Sequence, residues 1–428
     1  MAAAIQTPSH PDSDTIYSMR TQDILPHVAL PILLIVPLTL RPFPGRGVLF
    51  VVLIVITDYA CTVSRWPPNA GATRPYKYAL AGSWTFVLCA VERLLLHVPE
   101  RDFRRVDDTK EPRAQVPPEL SWAKLRWSAA LLATPRAVGW NFGSRGLNAR
   151  REAMKRSGIS RGRFIAARIL YAFLAYLAFD AAVVAARTAV VPTGWSWDRS
   201  TITEIMYIEL LMGVTIYSAM RTQFETIAAI SMSLRLSQPE DWPPVFGDIT
   251  ECYTVANVWG KFWHGYIRQP VLGFSHYIVQ VLGIPRRSLV AYGIHLATAF
   301  LVSGFCHVIS LYVVCSGYLS LGELIFDMTV FFMSQPLAAV IETLVIGLYR
   351  RSMVCDEGSR DSGLSSRIVA FSQTHPLLQK VTHRLVGYTW VWCWFVLTGW
   401  WFVKAYAAMG ITEWRMPSII DMVFKTGS

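Results

Sequence analysis

A chain of 428 residues that is 53% hydrophobic and only 16% charged, with a mean hydropathy of +0.35, is too apolar for a water-soluble globule and reads as an all-α, polytopic integral membrane protein. The net charge of +11 suits a face that meets anionic lipid or a phosphate-bearing soluble substrate, and no nucleic-acid partner is expected.

Residues 1–24 form a polar tail without the charged and apolar order of a removable signal peptide, so the first apolar run is expected to serve as the targeting signal. A single membrane-embedded domain is expected over 25–415, followed by a tail at 416–428. Runs near the spanning length of ~20 residues lie at 25–40, 47–63, 78–96, 164–191, 201–220, 289–314, 319–348 and 387–409. The first is interrupted by Pro31 and Pro37, and 271–284 is too short to span but suits a re-entrant or tilted segment. Eight to nine spans are therefore expected. The seven cysteines include no Cys-x-x-Cys pair, and several lie inside apolar runs, so they read as reduced packing residues.

Basic residues concentrate in a loop at 99–163, which the positive-inside tendency places in the cytoplasm. Arg145, Arg150 and Arg151 are expected to be exposed there. After the next two spans comes a motif-bearing segment, 238–270, ending in "NVWGKFWHGYIRQP". At 100° per residue Asn257, Lys261, His264 and Arg268 share one stripe, and Trp259, Phe262, Trp263 and Tyr266 share the opposite one. That pattern predicts an amphipathic helix lying in the membrane interface, aromatics down and His264 up, with Pro270 stopping or kinking it.

The run 289–314 contains "FLVSGFCHVIS", and an ionisable group deep in such a span is a functional candidate by default. On a helix His307 is flanked by Ser303, Gly304 and Ser310, a face of small residues that a helix or a substrate could approach. His295 is about 18 Å away along the axis, so any partner of His307 comes from another segment. The bland alternatives are a buried neutral His307 bonded to Ser303 or to a carbonyl, and a solvated His264 on an interfacial helix. Asp180, Glu323, Asp327 and Glu342 are further ionisable residues in apolar runs. The histidines are too dispersed for the ligand boxes of di-iron membrane oxidases. Asp107-Asp108 is the only adjacent aspartate pair, against the acidic motifs of membrane prenyltransferases. No metal site is expected.

The stretch "DWPPVFGDITECYTVANVWGKFWHGYIRQP" resembles the Trp-Pro-Pro-x-Phe-Gly and Trp-Gly-x-x-Trp-His elements of the wax-synthase-like membrane-bound O-acyltransferases, and "FLVSGFCHVIS" resembles their later Ser-Gly-x-x-His span. "PRAVGWNFGSRG" is similar to an Arg-Gly-x-Gly-Trp-Asn motif of fungal members that acetylate terpenoids and meroterpenoids. Two positions depart from the pattern: Gly265 stands for a frequent glutamine and Ala137 for a glycine.

The resemblance implies transfer of an acetyl group from acetyl-CoA, as co-substrate, to a hydroxyl of a hydrophobic terpenoid alcohol in fungal secondary metabolism, with no tightly bound cofactor. It also implies a multi-pass protein of the endoplasmic reticulum. It gives His307 the role of general base and His264 that of holding the donor or the developing oxyanion. Asn257, Lys261, Arg268, Ser303, Trp140 and Asn141 become candidates for binding donor or substrate. A long-chain wax or steryl ester synthase would use the same chemistry. A proton-coupled transporter would instead route protons through His307, Asp180 and Glu323, although no internal repeat of broken helices supports that reading.

Overall fold

The computed structural model describes residues 21–63, 84–107, 117–190, 201–315, 319–356, 376–408 and 418–424, and these are helical with no extended strand. Helices α1 (Thr21–Thr39), α2 (Arg46–Val63) and α3 (Trp84–Leu95) come first. Then α4 (Trp122–Leu132) and α5 (Arg145–Ser157) fill the basic segment. The hairpin α6 (Arg161–Val190) and α7 (Ile202–Ser233) precedes the motif segment and α8 (Arg268–Val281). The last helices are α9 (Leu289–Cys315), α10 (Leu321–Asp356), α11 (Pro376–Thr398), α12 (Trp400–Ala408) and α13 (Ile419–Phe424).

Among the described residues four helices, α6, α7, α9 and α10, are long and apolar enough to cross a membrane. Exposed Leu, Ile and Phe side chains along them are what a bilayer would cover. The remaining runs form α1, α2, α3 and the pair α11–α12. The run expected at 387–409 is broken: α11 starts earlier, at Pro376, and ends at Thr398, and Gly399 separates it from α12. The start of the run expected at 78–96 lies outside the described residues, as does Met409.

Two expectations about prolines fail. Helix α1 runs unbroken through Pro26, Pro31 and Pro37, because packing against α2 and α4 supports a helix whose internal hydrogen bonds are incomplete. Pro270 neither stops nor kinks a helix but lies in the first turn of α8, where its missing N–H costs nothing.

The basic segment is more built than a solvated loop. The Glu100 carboxylate accepts two hydrogen bonds from Arg46, each 2.8 Å, and one from Lys124. Arg93 donates to the Leu131 and Thr134 carbonyls at the end of α4. Arg145 and Arg150 are exposed, but Arg151, expected to be exposed beside them, is only 3% exposed. It is held by Asp107 at 2.6 Å, and with Lys155 it keeps the Asp107 carboxyl down at about 2. Asp108 lies outside the described residues.

Candidate active site

The motif segment is anchored at three points before it reaches His264. Arg136 donates from Nη1 and Nη2 to the carbonyls of Pro243 and Pro244, at 2.9 and 2.7 Å. Gly247 donates its N–H to the Phe262 carbonyl at 2.9 Å, and a Cβ at 247 would collide with the Lys261 carbonyl. This is why the Trp-Pro-Pro-x-Phe-Gly element and the His264 element occur together: one is the wall against which the other folds. The third anchor is Glu342 of α10. Its carboxylate accepts from the Val255 and Ala256 N–H groups and from Trp390 Nε1 at 2.8 Å.

From there the chain does not form the expected helix. A short turn, Val255–Asn257, tightened by the Thr254 side chain, passes into a π-turn over Val258–Phe262, closed by Trp263 N–H onto the Val258 carbonyl at 2.7 Å. Trp263 is extended, at φ −63 and ψ 146, and α8 starts only at Arg268. An expansion of this kind turns side chains off the helical register and is frequent at functional sites. The aromatic residues consequently do not form a membrane-facing stripe. Trp259 donates from Nε1 to Gln335 at 3.2 Å and packs its ring against Phe300, Phe331 and Phe395. Phe262 and Trp263 pack against Phe246.

His264 therefore points inward. Its ring lies beside Trp263 and Tyr266, and among the described residues its buried Nδ1 has no hydrogen-bond partner. Burial drives its pKa down to about 3, and the nearby His307 and Arg136 push the same way, so the ring is neutral throughout the physiological range. The Tyr266 phenol is pushed up to about 12 by burial and remains a proton donor. Arg136, lowered to about 10 by its burial, remains a cation.

His307 reaches the same place from the middle of α9. Its Nδ1 lies 2.7 Å from the Ser303 carbonyl oxygen. A carbonyl only accepts, so Nδ1 carries the proton, and in the neutral ring Nε2 is left as a bare acceptor. Phe332 is 4.9 Å away between ring centroids, and Trp84 and Phe402 are each 5.9 Å away. Gly304 beside it lets α10 approach, since a Cβ there would already touch Phe332 at 3.3 Å. The small-residue face thus serves helix packing as well as access.

Both histidines line one cavity of about 3090 Å³, walled mostly by aromatic and aliphatic side chains. Ser303, Arg268 and Trp140 also line it, whereas Asn257, Lys261 and Asn141 do not. Lys261 is exposed and paired with Glu251 at 3.2 Å. Arg268 donates to the Gly260 carbonyl at the cavity edge. Trp140 is fully buried, and Asn141 staples the Arg104 N–H to the Asp102 carbonyl. The other ionisable candidates serve packing: Asp180 accepts from Ile420 N–H, Glu323 caps α10 with Ser320, and Asp327 pairs with Lys404 at 3.1 Å.

Sequence reasoning missed Arg136 and the anchoring role of Glu342. Arg136 had a signal, since it opens the early motif and "WPP" offers carbonyls that no regular helix would use. Glu342 lies 78 residues beyond His264 in sequence, and no local pattern links them.

Residues 242–334, from the Trp-Pro-Pro element through both histidines, match the membrane bound O-acyl transferase family. The chain is 30% identical over 197 residues to acetyltransferase spyB of Aspergillus fumigatus, covering 46% of this chain and 31% of that protein. It is 31% identical over 178 residues to acetyltransferase TRI7 of Fusarium sporotrichioides, covering 41% and 36%. With acetyltransferase ple2 of Rhodocybe pseudopiperita the identity is 26% over 281 residues, covering 65% and 70%. The chain thus spans about a third of the length of the first two of these relatives. No solved structure matches it. The matched segment holds the Trp-Pro-Pro wall, the π-turn and both cavity histidines, so the likeness to the membrane bound O-acyl transferase family falls on the candidate site itself.

Proposed function

We propose that this protein is an O-acetyltransferase that moves the acetyl group of acetyl-CoA to a hydroxyl of a terpenoid or meroterpenoid alcohol in fungal secondary metabolism. The observation that carries the reading is the pair of imidazoles on one apolar cavity, with His307 Nε2 a bare acceptor and His264 a neutral ring with an unpartnered nitrogen. The acetyltransferase names of the fungal relatives support the acetyl donor over a long-chain one.

In this reading the acceptor hydroxyl donates its proton to His307 Nε2 as its oxygen attacks the thioester carbon, a general-base contribution of about 10²- to 10⁴-fold. The carbonyl π electrons move onto oxygen, and the oxyanion takes a hydrogen bond from the neutral His264 ring. Collapse breaks the C–S bond, and the departing thiolate recovers the proton from His307. Proton and charge both balance without a metal or a net proton uptake. Anionic coenzyme A would arrive from the basic cytoplasmic side, and the hydrophobic acceptor from the bilayer of the endoplasmic reticulum. Ser303 supports the base through its carbonyl and Trp140 and Arg268 contribute to the cavity wall. Asn257, Lys261 and Asn141 act on the loops around it.

The test is free coenzyme A release by microsomes carrying the full chain, given acetyl-CoA and a panel of terpenoid alcohols. Alcohol-dependent release with formation of the acetate ester is expected. Ester formation only from long-chain acyl-CoA would replace this reading with a wax or steryl ester synthase. No ester from either donor would sink acyl transfer.

A further inference from the structure

Among the described residues, six carboxylates in or at the ends of the long apolar helices have protein partners, Glu204 through its cap with Thr201 among them, whereas Glu209 has none. Glu342 takes two backbone N–H groups and an indole, Asp327 pairs with Lys404, Glu225 with Arg168 at 2.7 Å, Asp180 with a backbone N–H and Glu323 with Ser320. Glu209 sits on α7, inside a helix apolar enough to span the membrane. Both of its carboxyl oxygens are buried, and neither makes a hydrogen bond. A buried carboxyl group left this way is costly and persists where something else satisfies it.

The surroundings say from where that partner comes. Glu209 lines the same cavity as His307. Its carboxyl group is received at the break between α11 and α12, where a Cβ on residue 399 would lie 3.1 Å from both the carboxyl carbon and Oε1, so Gly399 is what gives it room. One helical turn beyond Gly399, about 5 Å of rise, stands Phe402, whose ring centroid is 5.9 Å from that of His307. The carboxyl group and the base are thus two separate polar points among the mostly apolar walls of one cavity.

We infer that Glu209 is a second polar anchor of the acceptor site, hydrogen-bonding an oxygen function of the substrate remote from the hydroxyl that reacts at His307. A hydroxyl fits because it both donates and accepts, and so satisfies a carboxyl group in either protonation state. The inference rests on the acetyl-transfer reading only for the class of ligand, an alcohol. It adds that the preferred acceptors carry a second oxygen function on the apolar body, apart from the hydroxyl that reacts. A site built to hydrogen-bond a hydroxyl rejects the analogue lacking it far more strongly than an apolar pocket rejects a missing methylene.

The test measures binding without donor, so that it does not depend on turnover. The full chain in nanodiscs is titrated with 5α-androstane-3β,17β-diol and with 5α-androstan-3β-ol, which differ by one hydroxyl. Wild type should bind the diol at least about tenfold more tightly. Glu209→Leu should lose that preference while binding the mono-ol as wild type does, and Glu209→Gln, which keeps a donor and an acceptor, should retain most of it. Equal binding of the two probes by wild type, an unchanged preference in Glu209→Leu, or an equal loss for both probes would overturn the anchor and leave a carboxyl group held by water or serving the fold. Adding acetyl-CoA to wild type then tests the other reading separately. Discrimination without any ester would leave the anchor standing and remove acetyl transfer.

Discussion

His307 and His264 meet in one cavity but are supported in different ways. His307 stands on an unbroken helix with Nδ1 fixed by the Ser303 carbonyl at 2.7 Å, whereas His264 follows a π-turn, is caged by Trp263 and Tyr266, and has no hydrogen bond at Nδ1. A base needs its tautomer fixed, since only the bare nitrogen can take a proton. A group that stabilises charge needs to be placed and dry, with its donor uncommitted, because a donor already bound within the protein would have to be released at the moment of reaction. The helix supplies the first condition and the anchored loop supplies the second.

The comparison breaks most sharply at His307. His307→Ala should lower turnover by about 10²- to 10⁴-fold with protein abundance in microsomes unchanged, because the ring lines a cavity and its loss leaves no buried group unpaired except one carbonyl. Wild-type-like ester formation would remove the base assignment.

The next largest effect tests the loop's support. Glu342→Ala leaves the Val255 and Ala256 N–H groups and the Trp390 indole without their acceptor. Buried donors left this way cost about 1 to 3 kcal/mol each, so a total near 3 kcal/mol is expected after partial relaxation. Thermal unfolding in detergent reads this directly. Limited proteolysis should open the chain near 255–264 before any other described segment, and a cut elsewhere would show that the anchor is not local.

His264→Ala should cost at least about tenfold in turnover, or 1.4 kcal/mol of transition-state stabilisation. The double variant with His307→Ala should cost little more than His307→Ala alone, since groups serving one reaction are not additive. Full multiplication of the two losses would separate their roles. The same residue makes a pH prediction. Unfolded His264 takes a proton near its ordinary value of 6.5, but folded His264 does not until about 3. The unfolded state therefore binds more protons between those values, and stability falls as pH falls through that window. His264→Gln should lose this part of the pH dependence in unfolding temperatures measured from about pH 7 to about pH 5.

What the sequence made legible follows the same division. His307, its Ser303 neighbour and its span are helix-periodic, so position along one element was enough to place them. His264 was recognisable as a residue but not in its setting. A 100° wheel assumes 3.6 residues per turn, and the π-turn at Val258–Phe262 moves every later side chain off that wheel. The wheel sends Trp259 to the lipid interface, whereas the structure packs it inside, against Phe300 and Phe395. The anchors Arg136 and Glu342 and the unpaired Glu209 are contacts between distant segments. They depend on which helices are neighbours, a property that no single run of residues carries.

The smallest expected effects come from the two positions where the chain departs from the motifs it resembles, and they separate backbone from cavity. Gly265 lines the cavity beside His264, and a Cβ there meets nothing within 4 Å. Gly265→Gln should therefore fold normally and change the relative rates for acceptors of different size by several-fold, as filled volume in an apolar pocket does at about 1 kcal/mol per methylene or more. Ala137 does not line the cavity. It sits fully buried in the left-handed region, at φ 56, two residues before Gly139 at φ 72, which is why a glycine suits that place. Ala137→Gly would relieve about 1 to 2 kcal/mol of left-handed strain, but would lose a buried methyl worth about 0.8 kcal/mol and add about 0.5 to 1 kcal/mol of unfolded-chain freedom. These nearly cancel, so unfolding temperature and acceptor preference should both stay close to wild type. An altered acceptor range in Ala137→Gly would mean that the early motif shapes the cavity through its backbone. An unaltered one, beside a clear change in Gly265→Gln, would assign selectivity to the residues around His264.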